Sequence, residues 1–155
     1  NISEIRENQP HIKFPQMVVF KKQEEGPKHT IEVSHNGYIK NYKKIVKRKL
    51  QFKEDENYLT GEDSIISATS KNKEVIFHIR FHILPNINIT QTNSKKNIIF
   101  KTKKNAVWLF KSNKDLILEE SVFMDKNGVK ETKQIVIKGI TKLNREKIQW
   151  SLSKK

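Results

Sequence analysis

Residues 74–85 (EVIFHIRFHILP) set His78, Arg80 and His82 two positions apart. On an extended strand these three side chains share one face, with neighbours about 7 Å apart at roughly 3.3 Å of rise per residue. A row of imidazole, guanidinium and imidazole is chemistry for anions. The guanidinium fork takes carboxylate or sulfate in a bidentate way. The same row also fits a polar face covered by solvent or by another sheet. Its two rings lie about 13 Å apart along a strand and do not make a metal site alone. His35 and Tyr38 flank Asn36-Gly37 and carry groups suited to proton transfer. The alternative is a turn with the Tyr ring packed over the core. A third candidate is the run 40–53, with Lys40, Lys43, Lys44, Lys47, Arg48, Lys49 and Lys53 and no acid. Lys47, Arg48 and Lys49 are its centre and would attract an anionic chain in a salt-dependent manner. The acid-rich residues 54–63 (EDENYLTGED) offer local compensation instead.

The elements that must position these groups read as strands. Val75, Phe77, Ile79, Phe81 and Ile83 alternate with the polar row, so residues 74–85 predict a strand with one buried face. Strand signals recur at 17–22, 29–35, 97–102, 106–111, 115–125, 132–138 and 147–153. The Asn127-Gly128 pair is a hairpin signal. Tyr38, Tyr42, Ile45, Val46 and Lys49 recur at helical spacing, yet residues 44–52 also read as a strand, which the β-rich surroundings favour. LTGED (59–63) reads as a turn and strand start. Glu119 and Glu120 fall on opposite faces and are not a catalytic pair. Trp108 and Trp150 alternate as core residues do, or serve as sugar-stacking platforms if exposed. His11 and His29 read as surface residues. About ten strands and no clear helix predict an all-β fold, an antiparallel β-sandwich of stacked sheets in one domain over 1–155.

The formal charge is +14 and the pI about 9.9, which favours an acidic partner. Ile, Lys and Asn fill more than a third of the chain, so compositional bias accounts for part of that charge. There are no cysteines, which excludes disulfides and thiolate metal sites. No apolar run approaches the roughly 18 residues of a membrane span, so no membrane partner is expected. No zinc finger, helix-turn-helix pattern or RNP-like strand supports nucleic acid as a partner. No Gly-rich phosphate loop or Ser/His/Asp arrangement is visible. The polar N-terminus does not resemble a secretion signal and lacks Met, so the chain reads as a piece of something longer.

Several motifs in order then carry a resemblance: SHNGY (34–38), KRKLQF (47–52), LTGED (59–63), FHIRFHILPNI (77–87), WLF (108–110), LILEESVFM (116–124), QIVIKG (134–139) and IQWSLSKK (148–155). Over residues 29–155 the chain resembles the C-terminal β-domain of the heparinase II/III family of polysaccharide lyases. It departs at Val46, where relatives are expected to carry a His. The resemblance implies stacked antiparallel sheets that follow an upstream α-helical toroid. It implies a parent that cleaves uronate-containing polysaccharides, heparin and other glycosaminoglycans among them, by β-elimination. That reaction needs a neutralised carboxylate, a base for the C5 proton and an acid for the leaving oxygen. The family's Tyr, His, Asn and Arg for these tasks, and the His and Asp ligands of a structural zinc where one occurs, are expected upstream of Asn1. No match to either set occurs in this chain, so no catalytic residue and no metal site is assigned to it. A periplasmic or extracellular parent is also implied.

Three functions follow as expectations. The first is an enzyme part that packs against the helical domain and helps form the substrate cleft, with Arg80 and His82 as substrate or interface contacts. Lys47, Arg48 and Lys49 then attract the glycan, with His35 and Tyr38 as further binding candidates. The second is a non-catalytic module for acidic glycans. The third is a structural domain with an incidental basic face.

Overall fold

The computed structural model describes residues 15–71 and 73–155. Eleven strands run in chain order: β1 (Val18–Glu25), β2 (Lys28–His35), β3 (Lys44–Lys53), β4 (Tyr58–Ser67), β5 (Ile76–His82), β6 (Asn88–Gln91), β7 (Asn97–Lys101), β8 (Val107–Ser112), β9 (Ile117–Asp125), β10 (Gly128–Ile140) and β11 (Arg145–Lys154). Among the described residues a single four-residue helix, α1 (Ile39–Tyr42), precedes β3. The helical spacing of Tyr38 and Tyr42 is thus realised for one turn only, and the strand reading of 44–52 holds. All strand pairs are antiparallel. They form an eight-stranded sheet, β1-β2-β3-β4-β11-β8-β7-β6, and a three-stranded sheet, β5-β10-β9. The expected all-β architecture of stacked sheets is present. Among the described residues no helix is long and apolar enough to cross a membrane.

The sheets meet through the faces that the alternation marks. Phe77, Ile79, Phe81 and Ile83 of the β5 segment pack with Ile135 and Ile137 of β10 against Ile98, Phe110, Ile148 and Trp150 of the large sheet. His78, Arg80 and His82 point away from that core and are exposed. Each fully buried Ile contributes roughly 1.5–3 kcal/mol by leaving water. An aromatic cluster sits at the centre. The Phe110 and Trp150 rings stack at 5.6 Å, and Phe81 meets both edge-on at 5.0 and 4.9 Å.

Two glycines make room for this packing. Gly61 is the cross-strand partner of Trp150, and Gly139 that of Phe77. A Cβ at Gly61 would meet the Trp150 ring at 2.1 Å, and one at Gly139 would meet Phe77 at 2.5 Å. Each ring lies over the bare backbone of its neighbour. This corrects the reading of LTGED as a turn: its Gly lies inside β4, and the turn falls earlier, at 54–57.

The small sheet is too narrow to cover the large one. The inner face of β1 lies beyond it, leaving Val18 and Phe20 57% and 60% exposed. The C-terminal strand β11 inserts between β4 and β8, so the last residues of the chain form the middle of the large sheet.

Candidate functional site

The outer face of the large sheet is polar because the alternate residues of its strands are polar. Antiparallel register aligns them in rows across the sheet. One row runs Thr30, Gln51, Thr60, Ser151, Lys111, Asn97 through β2, β3, β4, β11, β8 and β7. The next begins Glu32, Lys49, Glu62, Gln149. Thr60 and Ser151 are short and lie on the central strands, while Lys49, Gln51, Tyr58 and Lys111 rise on either side. The result is an open trough of about 450 Å³, also lined by Glu62, Asn113 and Gln149.

The charge of this face is mostly positive. Lys21, Lys47, Lys49, Lys53, Lys111 and Lys147 share it with Glu25, Glu32 and Glu62. Glu32 is engaged by Lys47 at 2.6 Å, and Glu62 by Lys147 at 3.4 Å and Arg145 at 3.6 Å. Burial pushes the Glu62 carboxyl up, but Lys147 and the hydrogen bonds from Ser64, Lys147 and Gln149 outweigh it and hold the group below its usual value. Glu62 therefore stays an anion whose charge its neighbours already answer.

The structure sorts the candidates of the basic run. Lys47 and Lys49 lie on this outer face. Arg48 is on the inner face, where its Nε donates to Asp63 Oδ1 at 2.6 Å and its Nη2 to Oδ2 at 3.0 Å. Its guanidinium also lies over Phe81 at 5.3 Å and Trp150 at 5.8 Å. Lys44 is buried, and burial lowers its ammonium pKa. The acid-rich segment does fold back on the basic one: Arg48 faces Asp63, Lys49 faces Glu62, and Lys53 binds Glu56 at 2.8 Å.

His78, Arg80 and His82 form a row on the outer face of the small sheet, remote from the trough's face. Arg80 donates to Glu119 at 2.8 Å, and Lys138 reaches the other oxygen of the same carboxylate at 2.8 Å. His78 Nδ1 lies 3.3 Å from Arg80 Nη2, and His82 Nδ1 lies 3.0 Å from Ser121 Oγ. Hydrogen bonds from Lys138 and then Arg80 bring the Glu119 carboxyl down to about 2. Its folded value is thus below its unfolded 4.5. The stabilisation is complete above pH 4.5 and disappears as pH falls from 4.5 towards 2. Carboxyl NMR should therefore show Glu119 titrating near pH 2, and Lys138→Gln should move that midpoint upwards. An ordinary midpoint in the wild type would mean that Arg80 and Lys138 are not held there in solution.

His35 and Tyr38 do come together, with ring centroids 5.4 Å apart, and Tyr42 follows Tyr38 at 6.1 Å. His35 Nδ1 accepts the Gly37 N–H at 3.3 Å, and burial lowers the imidazole's pKa, favouring the neutral ring. This pair closes a turn at the end of β2. Trp150 is buried and Trp108 half-buried. His29 is held between Glu24 at 3.4 Å and Glu54 at 3.1 Å. His11 lies outside the described residues. Among the described residues no three His, Asp or Glu side chains come together to hold a metal ion.

Sequence reasoning missed Gln51, Tyr58, Thr60, Lys111, Asn113, Gln149 and Ser151. The strand residues among them alternate visibly with their neighbours, but β3 and β4 lie far in sequence from β8 and β11, and Asn113 follows β8 in a loop. Only the position of β11 between β4 and β8 brings them together.

The heparinase II/III-like, C-terminal family matches residues 3–151, nearly the whole chain. This chain belongs to that family. The heparinase II/III-like chain also superposes on solved structures. Heparan sulfate lyase HepC from Pedobacter heparinus gives a TM-score of 0.74 at 11% identity, covering 88% of this chain and 21% of that one. A heparinase III gene product gives 0.67 at 11% identity, with 89% and 21% covered. Another heparinase III structure gives 0.64 at 12% identity, with 88% and 21% covered. At such identities the likeness is one of fold. The heparinase II/III-like chain spans about a fifth of the length of these structures. No curated protein matches its sequence.

Proposed function

We propose that this chain is the C-terminal β-domain of a lyase that cleaves uronate-containing polysaccharides by β-elimination. Its part is to support and bind rather than to break the bond. One observation carries this reading: the family match spans residues 3–151, while the fold is equivalent to about a fifth of a heparan sulfate lyase. β-Elimination needs a base aimed at a carbon-bound proton and an acid aimed at the leaving oxygen. Two of the imidazoles described above are otherwise engaged, since His82 lies 3.0 Å from Ser121 Oγ and His35 is held at its turn, where it accepts a backbone N–H. Arg80 is bound to Glu119. The positive field of the chain suits an anionic glycan and strengthens as ionic strength falls. An upstream helical domain is the natural supplier of the missing base and acid, and the β-domain would pack on it to complete the cleft. A zinc ion in such a parent finds no ligand set among the described residues.

The test is an assay of the longer protein carrying this segment for unsaturated uronate by ultraviolet absorbance, across heparin, heparan sulfate, chondroitin and alginate. At least one substrate should yield product. A flat response on all of them removes the lyase assignment.

A further inference from the structure

We propose that the trough across β3, β4, β11 and β8 is a binding site for an anionic polysaccharide strand lying perpendicular to the β-strands. The choice of ligand class rests on the lyase reading, but the geometry of the site does not. Neighbouring strands are about 4.8 Å apart, so the trough from β3 to β8 spans about 14 Å, enough for a few sugar rings laid end to end. Its floor is the pair Thr60 and Ser151, whose hydroxyls both donate and accept. Gln51 and Gln149 donate to Thr30 and Glu62 and keep their amide oxygens as acceptors, Asn113 accepts the Gln149 N–H and keeps its amide N–H groups as donors, and Tyr58 provides a ring wall. Hydroxyl-rich ligands need this mixture of donors and acceptors. Lys49 on β3 and Lys111 on β8 stand at opposite flanks, positioned for carboxylates or sulfates on either side of a chain. Lys49 stands between Glu62 and Glu32, but these two carboxylates are shared with Lys147, Arg145 and Lys47, so cations outnumber acids around the trough.

A nucleic acid fits less well. The floor offers hydroxyls and amides where single-strand sites place stacked aromatic platforms.

The experiment is titration of the full chain with a size-defined heparin oligosaccharide at low salt, followed by calorimetry or fluorescence. Lys49→Gln with Lys111→Gln should weaken binding at least about tenfold. Lys126→Gln with Lys142→Gln removes the same charge from exposed loops elsewhere and should leave affinity within about twofold. Ser151→Tyr fills the floor without changing charge and should also weaken binding, which keeps the test valid if the lysine pair disturbs folding. Equal losses in the two charge-matched pairs would overturn the site in favour of diffuse attraction. So would equally tight binding of single-stranded DNA with the same dependence on Lys49 and Lys111. Uronate release by the longer protein with no effect at the trough would sink this inference alone. Trough-dependent binding with no lyase activity would sink the lyase reading alone.

Discussion

Asp63→Ala should remove about 3 kcal/mol of folding stability, measured as a shift of the urea midpoint at constant m-value. Asp63 has only 5% of its side chain exposed and holds three donors: Arg48 Nε at 2.6 Å, Arg48 Nη2 at 3.0 Å and Trp150 Nε1 at 2.9 Å. Removing the carboxylate leaves an indole N–H without its acceptor and a guanidinium against aromatic rings without its counter-charge. Breaking a buried pair by deleting one partner costs about 3–5 kcal/mol. Arg48 is 40% exposed and regains some hydration, which sets the expectation at the lower end. The double substitution Arg48→Met with Asp63→Leu should recover much of the loss, because neither charge is then stranded. Additive losses for Arg48→Ala and Asp63→Ala in a double-mutant cycle would refute the coupling. A domain of this size has about 5–15 kcal/mol in total, so this one contact across β3, β4 and β11 of the large sheet is a sizeable share of what keeps the chain folded.

Gly61→Val should be comparably severe, at about 3 kcal/mol, lowering Tm by roughly 10 °C. The added Cβ would lie 2.1 Å from one Trp150 ring atom and 2.2 Å from another. The ring cannot move aside freely. It is stacked on Phe110, met edge-on by Phe81, and bound through Nε1 to Asp63. Displacing it disturbs the aromatic cluster and the Asp63 hydrogen bond together. Gly26→Val makes a useful contrast, because nothing lies within 4 Å of a Cβ there and only its positive φ of 56° is disfavoured. Its cost should be about 1 kcal/mol. If Gly61→Val proves no worse than Gly26→Val, the close packing of Trp150 on the β4 backbone is wrong.

These residues also mark where reading the chain by itself succeeds. The β5 segment was legible from its alternation: Val75, Phe77, Ile79, Phe81 and Ile83 are half-buried, and the positions between them, the apolar Ile76 included, are exposed. The Asn127-Gly128 hairpin between β9 and β10 was equally plain. Arg48 was grouped with Lys47 and Lys49 because they are consecutive, although on a strand consecutive residues face opposite ways. LTGED does open a strand, but its turn half was misread because Thr, Gly, Glu and Asp favour turns, while the reason for a glycine there is Trp150, some ninety residues later. The four residues of β6 are too few to show a period.

Alternation along each strand is a local steric matter, since a pleated backbone sends successive side chains to opposite sides. The amino-acid order alone therefore determined that this chain forms sheets, which faces are apolar, and that His78, Arg80 and His82 point away from the core. The order of strands depends instead on pairings between distant segments, chosen by which faces pack together most completely. Only the tertiary structure decided that β11 lies between β4 and β8, that Glu119 answers Arg80, and that Lys49, Thr60, Ser151 and Lys111 line one trough.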